Sequence, residues 1–149
     1  MLRSLFQYAR SFAIALSRKG ARQVLLGHAR GVAPIGPVLR EQRELAMTLA
    51  ATYFGAAQEH GEDGGLGSYH LIDGWSPSYP ETTGYIIPTL FALSDHLQRP
   101  DLAERAQRAA DWLLSVQRPD GGWLGGRVGE DRPSVVFNTA QVVRGLMAV

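Results

Sequence analysis

The chain has 149 residues, 45% of them hydrophobic, and a formal net charge of +1. That is enough apolar material for the core of one modest domain, and the composition is not that of a disordered, fibrous or low-complexity chain. It contains no cysteine, which excludes disulfides, thiolate metal sites and a cysteine nucleophile.

The charge is unevenly spread. Residues 1–40 carry Arg3, Arg10, Arg18, Lys19, Arg22, Arg30 and Arg40 and no acid, giving +7, while the remaining eight basic and fourteen acidic residues give −6. From Leu2 to Leu16, the residues Leu2, Leu5, Phe6, Ala9, Phe12, Ala13 and Leu16 recur at helical spacing, with Arg3, Gln7, Arg10 and Ser11 between them. This is a basic amphipathic helix. It suits either contact with an anionic membrane surface or packing as an outer helix on the following domain, and the packed helix is the simpler expectation. Arg10 and Arg18 interrupt the apolar run and no small-residue cleavage site follows, unlike a secretory signal. No run approaches the ~18 apolar residues of a membrane span. The expected location is cytoplasmic, with peripheral membrane contact through the first helix as the alternative.

Gly31 to Pro37, GVAPIGP, predicts a linker, so the expected organisation is a basic helix and linker over 1–40 and a domain over 41–149. From Glu41 the spacing of Leu45, Ala46, Leu49, Ala50, Tyr53, Phe54 and Ala57 predicts a helix with a wide apolar face. Residues 60–67, HGEDGGLG, then predict a surface turn. The stretch 67–85, GSYHLIDGWSPSYPETTGY, is long, aromatic and rich in turn formers, the kind of loop in which function often sits. A helix follows, starting either at Pro80 with Ser78 or Tyr79 as cap, or later with Thr82 or Thr83 as cap. The earlier start places Pro88 within the helix, where it predicts a kink. YIIPTLFAL, residues 85–93, is apolar on all sides and predicts an inner helix covered all round.

After Gln98 to Pro100, Asp101 is the expected N-cap of another helix. Leu102, Ala106, Ala109, Leu113 and Val116 form its apolar stripe, with Glu104 and Arg108 at a favourable ion-pair spacing on the wet side. A last helix signal starts near Val136. The chain also repeats: Asp120-Gly121-Gly122 follows Asp63-Gly64-Gly65 by 57 positions, and Asn138-Thr139-Ala140 follows Thr82-Thr83-Gly84 by 56. The period is one helical hairpin.

Arg108-Ala109, Trp112, Leu113-Leu114, Gln117, Gly121 and Trp123 resemble the QW repeat of the α/α-toroid superfamily, which includes terpenoid cyclases and protein prenyltransferases and is similar to the toroids of many carbohydrate-active enzymes. The resemblance covers roughly residues 41–149. It implies an all-α fold of antiparallel helical hairpins forming part of an α/α toroid, with about two and a half hairpins present. Such rings close with about five to seven hairpins of ~50 residues, and open arrays expose apolar ends. A fragment, a truncated product, or association with another chain to complete the ring is therefore expected.

The resemblance also implies that loops leading into the inner helices surround a central cavity. Those loops are 67–84 and 122–137, which offer Asp73, Trp75, Tyr79 and Glu81 in one and Trp123, Arg127, Glu130, Asp131, Arg132 and Asn138 in or just after the other, with Tyr85 following the first. Aromatic rings beside carboxylates suit sugars, and arginines suit uronate carboxylates. Glu81 and Asp73 are the candidate acid/base residues, with Trp75, Tyr79, Tyr85, Arg127 and Asn138 as candidate ligand-binding residues. The alternative roles are structural: Trp123 as the staple of its turn, Asp63 and Asp120 as turn formers, Glu81 as favourable to a helix dipole, and Asn138 as a cap.

His60, His70 and His96 lack metal-ligand spacing and read as surface or capping residues. No metal, cofactor or nucleic acid is expected. The Asp-x-Asp-Asp cluster of squalene-type cyclases does not occur, which argues against that reaction. The resulting expectation is part of a toroidal enzyme acting on a polysaccharide or glycan, of lyase, hydrolase or epimerase type, in bacterial cell-surface polysaccharide metabolism. An isoprenoid-binding relative of the cyclases and a non-catalytic helical scaffold are the alternatives.

Overall fold

Prolines and glycines punctuate this chain into helices. A computed structural model describes residues 2–31 and 39–149, and 66% of it is helical. The elements are α1 (Leu2–Ser17), α2 (Lys19–Ala29), α3 (Arg40–Gly61), the strands β1 (Tyr69–His70) and β2 (Gly74–Trp75), α4 (Pro80–Leu97), α5 (Pro100–Ser115) and α6 (Val136–Leu146). The all-α expectation holds apart from the two short strands, which lie in the stretch expected to be loop. The GVAPIGP linker beyond Gly31 and the side chains of residues 2–5 lie outside the described residues. The chain divides into two compact units: the N-terminal helices with Tyr69–Gly74, and Leu39–Ser68 with Trp75–Val149.

In the first unit α1 and α2 pack on each other. Helix α2 is not among the elements predicted from spacing, because Gly20 and Gly27 weaken its helical signal. The apolar face of α1 is not packed as expected. Phe6 is 74% exposed and Phe12 57%, whereas Ala15 on the other side of the helix is buried.

In the second unit the core is built from Leu66, Ile87, Leu90, Leu102, Leu113, Trp112, Trp123 and Val142 with several alanines. Helix α4 is central, in contact with α3, α5 and α6. It begins at Pro80, with Tyr79 at the N-cap, and accommodates Pro88 internally. It is not covered all round: Tyr85, Thr89 and Ala92, spaced along one face, are exposed. Helix α5 buries Leu102, Ala106, Ala109 and Leu113 as expected. Its N-cap is Arg99 and Pro100 opens it, so Asp101 lies inside the first turn. The Asp101 carboxylate instead receives the Arg99 guanidinium at 3.1 and 2.6 Å.

Helix α3 also departs from expectation. Leu45, Leu49 and Tyr53 are exposed, and its buried positions are Ala51, Gly55, Ala57 and Gln58. The reason is polar: Gln58 donates through Nε2 to the Arg105 carbonyl at 2.9 Å, and Arg108 donates to Gln58 Oε1 at 3.3 Å. Arg108 thus serves the contact between helices in place of the expected pairing with Glu104. Helix α6 ends at Leu146 with Met147 as its C-cap.

The repeat seen in the sequence is a repeat of hydrogen bonds. In the first turn Gln58 Nε2 donates to the Gly64 carbonyl at 2.9 Å, and in the second Gln117 Nε2 donates to Gly121 at 2.9 Å. Asp63 Oδ1 accepts from the Gly65 N–H at 2.9 Å and the Ser78 hydroxyl at 2.7 Å; Asp120 Oδ1 accepts from Gly122 and Ser134, both at 3.0 Å. The Leu66 N–H meets Thr83 Oγ1 at 2.9 Å, and the Trp123 N–H meets Thr139 Oγ1 at 3.1 Å. The carbonyls of Leu66 and Trp123 accept from Tyr79 and Val135 at 3.0 and 3.1 Å. Gly64 and Gly121 have φ of 97° and 81°, a conformation that glycine adopts without steric cost. Each turn therefore fastens itself to the first turn of the helix that follows it.

Trp123 acts as the expected staple. It is buried, and its indole N–H donates to the Leu113 carbonyl near the end of α5 at 2.7 Å. Leu66 fills the equivalent place in the first turn and is fully buried.

Candidate functional site

The two fastened turns deliver α4 and α6 side by side. Gly84 and Gly145 allow this: a Cβ on Gly84 would lie 2.7 Å from the Gln141 carbonyl oxygen, and one on Gly145 would lie 2.5 Å from the Gly84 oxygen. A further bond joins the preceding loops, where the Val128 N–H donates to the Ser78 carbonyl at 2.9 Å. Side chains at the N-terminal ends of α4 and α6 are thereby brought together.

There, Asn138 donates through Nδ2 to the Tyr79 hydroxyl at 3.1 Å, and that hydroxyl donates to Glu81 Oε2 at 2.8 Å. Asn138 is buried and its Nδ2 also approaches the Leu124 carbonyl at 3.4 Å. It does not cap α6 as expected. The N-cap is Val135, which places Asn138 in the first turn, where its amide turns across to α4.

Burial pushes the Tyr79 phenol above its ordinary pKa, with the donated Asn138 bond opposing this and Glu81 adding to it. The hydroxyl is thus kept as a neutral donor to Glu81. Glu81 lies in the first turn of α4, where the helix dipole favours a carboxylate.

Beside this chain of bonds is an aromatic pair. Tyr85 lies one turn after Glu81 on the same side of α4, and its ring centroid is 6.4 Å from that of Phe137 on α6. Both rings are exposed, as is Val136. One turn along α6 from Asn138, Gln141 Oε1 is buried without a hydrogen-bond partner. Arg127 is exposed on the loop tied to Ser78, and Arg132 pairs with Glu130 at 3.0 Å.

Trp75 and Asp73 make contacts of their own. Trp75 packs against α3, with ring centroids 5.4 Å from Tyr53 and 5.8 Å from His60. Asp73 is in the first unit, where His70 Nδ1 lies 2.7 Å from its Oδ2. The structure therefore assembles Tyr79, Glu81, Tyr85 and Asn138 and places Trp75 and Asp73 in other surroundings. Phe137 is not among the candidates predicted from the sequence; its place beside Asn138 marks it only once α4 and α6 are paired. His96 bonds Glu44 at 3.0 Å, and no cluster of metal-ligating side chains occurs among the described residues.

Comparison of the chain with protein-family models, characterised proteins and solved structures returns no match.

Proposed function

We propose that the second unit is a helical-hairpin array of the α/α-toroid type and that the joined N-terminal ends of α4 and α6 form a glycan site. The observation that carries this reading is the Asn138–Tyr79–Glu81 hydrogen-bond chain beside the exposed Tyr85–Phe137 pair. Directed polar groups next to an open aromatic surface suit a sugar ring, which has both hydroxyls and an apolar face. The Gln117–Gly121–Trp123 turn, with its QW-like spacing and its repeated bonds, supports the toroid assignment.

The chemistry favoured is proton transfer in a uronate-containing polysaccharide, of lyase or epimerase type. The bonded chain contains one carboxylate, whereas hydrolysis of a glycosidic bond usually employs two facing carboxyl groups. In the lyase reaction Glu81 takes the proton from the carbon next to the uronate carboxylate, and a C=C bond forms as the neighbouring carbon–oxygen bond to the leaving sugar breaks. Tyr79 gives its proton to that departing oxygen, and Arg127 supplies a cation for the substrate carboxylate.

Binding of acidic and neutral polysaccharides by calorimetry, with ultraviolet detection of unsaturated products, tests this. Uronate binding lost on Tyr85→Ala and Phe137→Ala, with turnover lost on Glu81→Gln, is the expected outcome. Binding without turnover would reduce the site to a scaffold's ligand site. Preference for an isoprenoid over every glycan would overturn the reading.

A further inference from the structure

The first unit carries an exposed apolar surface of its own. On α1, the residues Phe6, Ala9, Phe12, Ala13 and Leu16 share one side of the helix and all are exposed, while the packed positions are Ser11, Ile14 and Ala15 on the other. The helix presents its apolar side outward, the reverse of a helix that merely covers a core. Tyr8, Val24 and Leu26 of the same helix pair are exposed as well.

The charge around this face is one-sided. The N-terminal segment up to residue 38 contributes six basic residues and no acid, and the only acid elsewhere in the unit, Asp73, is paired with His70. Arg10 lies one helical turn from Phe6, at the edge of the apolar face, and Lys19, Arg22 and Arg30 are exposed on or next to α2. Among the described residues, no helix is long and apolar enough to cross a membrane.

We infer that α1 and α2 dock the protein onto an anionic lipid surface, with Phe6, Phe12 and Leu16 entering the interface and the arginines meeting lipid phosphates. The complementarity decides among occupants. An apolar aromatic face gains nothing from a nucleic acid backbone, and a second copy meeting this face with its own would oppose like charges. A bilayer interface offers both an acyl boundary for the rings and negative charge for the cations.

The test is flotation of the full chain with phosphatidylcholine vesicles and with vesicles that also contain phosphatidylglycerol. Binding to the anionic vesicles is expected to be about tenfold stronger or more, and to weaken with added salt. The double variant Phe6→Ser, Phe12→Ser should lose about tenfold on the anionic vesicles. The variant Arg10→Gln, Arg22→Gln should lose much of the preference for the anionic vesicles, and an unchanged preference would overturn the proposal. Circular dichroism matching the parent certifies that each variant is folded, and the two variants remove independent components of binding. Equal binding of the parent to both vesicles, no binding to either, or unchanged binding by the phenylalanine variant would each overturn the proposal. So would lipid-free dimerisation abolished by that variant, or a gel shift of RNA that it leaves unchanged.

Discussion

Gly84 and Gly145 meet backbone to backbone, so closely that a Cβ on Gly145 would stand 2.5 Å from the Gly84 oxygen. No side chain can move aside to relieve that clash. Gly145→Ala should therefore destabilise the protein by about 1–3 kcal/mol through overpacking, read as a lower urea midpoint. Because the same contact aligns the ends of α4 and α6, the variant should also weaken ligand binding at Tyr79 and Tyr85.

The two turns allow an internal comparison. Thr83 and Leu66 are both fully buried, so Thr83→Val leaves the Leu66 N–H without a partner where water cannot reach it. A loss of about 1–3 kcal/mol is expected. Thr139 is only half-buried, and water can replace its hydroxyl; Thr139→Val should cost less. Equal losses in urea denaturation would contradict this account of the turns.

Acid should loosen the second turn in a defined direction. The Gly122 N–H, and after it the Ser134 hydroxyl, hold the Asp120 carboxyl below its ordinary pKa. A group lowered in this way contributes stability above its unfolded value, and the contribution is lost as pH falls through the folded value. Melting temperatures of the parent and of Asp120→Asn should therefore differ at neutral pH and converge in strong acid.

The Tyr79 phenol has the opposite sign. Its pKa is raised, chiefly by burial, so the folded state holds the proton more firmly and the associated stability is lost as pH rises above the ordinary tyrosine range. In an ultraviolet titration, the transition lost on Tyr79→Phe should be the Tyr79 one and should lie above that of an exposed tyrosine. Asn138→Ala should raise it further and Glu81→Gln should lower it, because the Asn138 bond favours the phenolate and Glu81 opposes it.

Local signals carried much of the fold into the sequence. Pro80 and Pro100 open helices, Gly64 and Gly121 turn the chain, and the Asp-Gly-Gly repeat marks equivalent turns. Less legible were features set by what lies across from a residue. Leu45 and Leu49 spell an apolar face by spacing, yet Gln58 and Gly55 form the buried side of α3, because Arg105 and Arg108 of α5 approach there. The site divided in the same way. Glu81 and Tyr85 share a helix and are visible from spacing, whereas the Asn138–Tyr79 bond spans 59 positions and depends on how α4 and α6 pair.

The turn fastening also bears on how such an array can grow. Each set of bonds, Gln58 to Thr83 and Gln117 to Thr139, closes within its own period, and it uses the main chain of Leu66 or Trp123 rather than the side chain there or any group from the other turn. A duplicated hairpin would arrive with its own closure, and copy number can change by recombination without redesign of the junctions. Leu66 in place of Trp123 shows that sequence can diverge inside one copy while the main-chain register is kept.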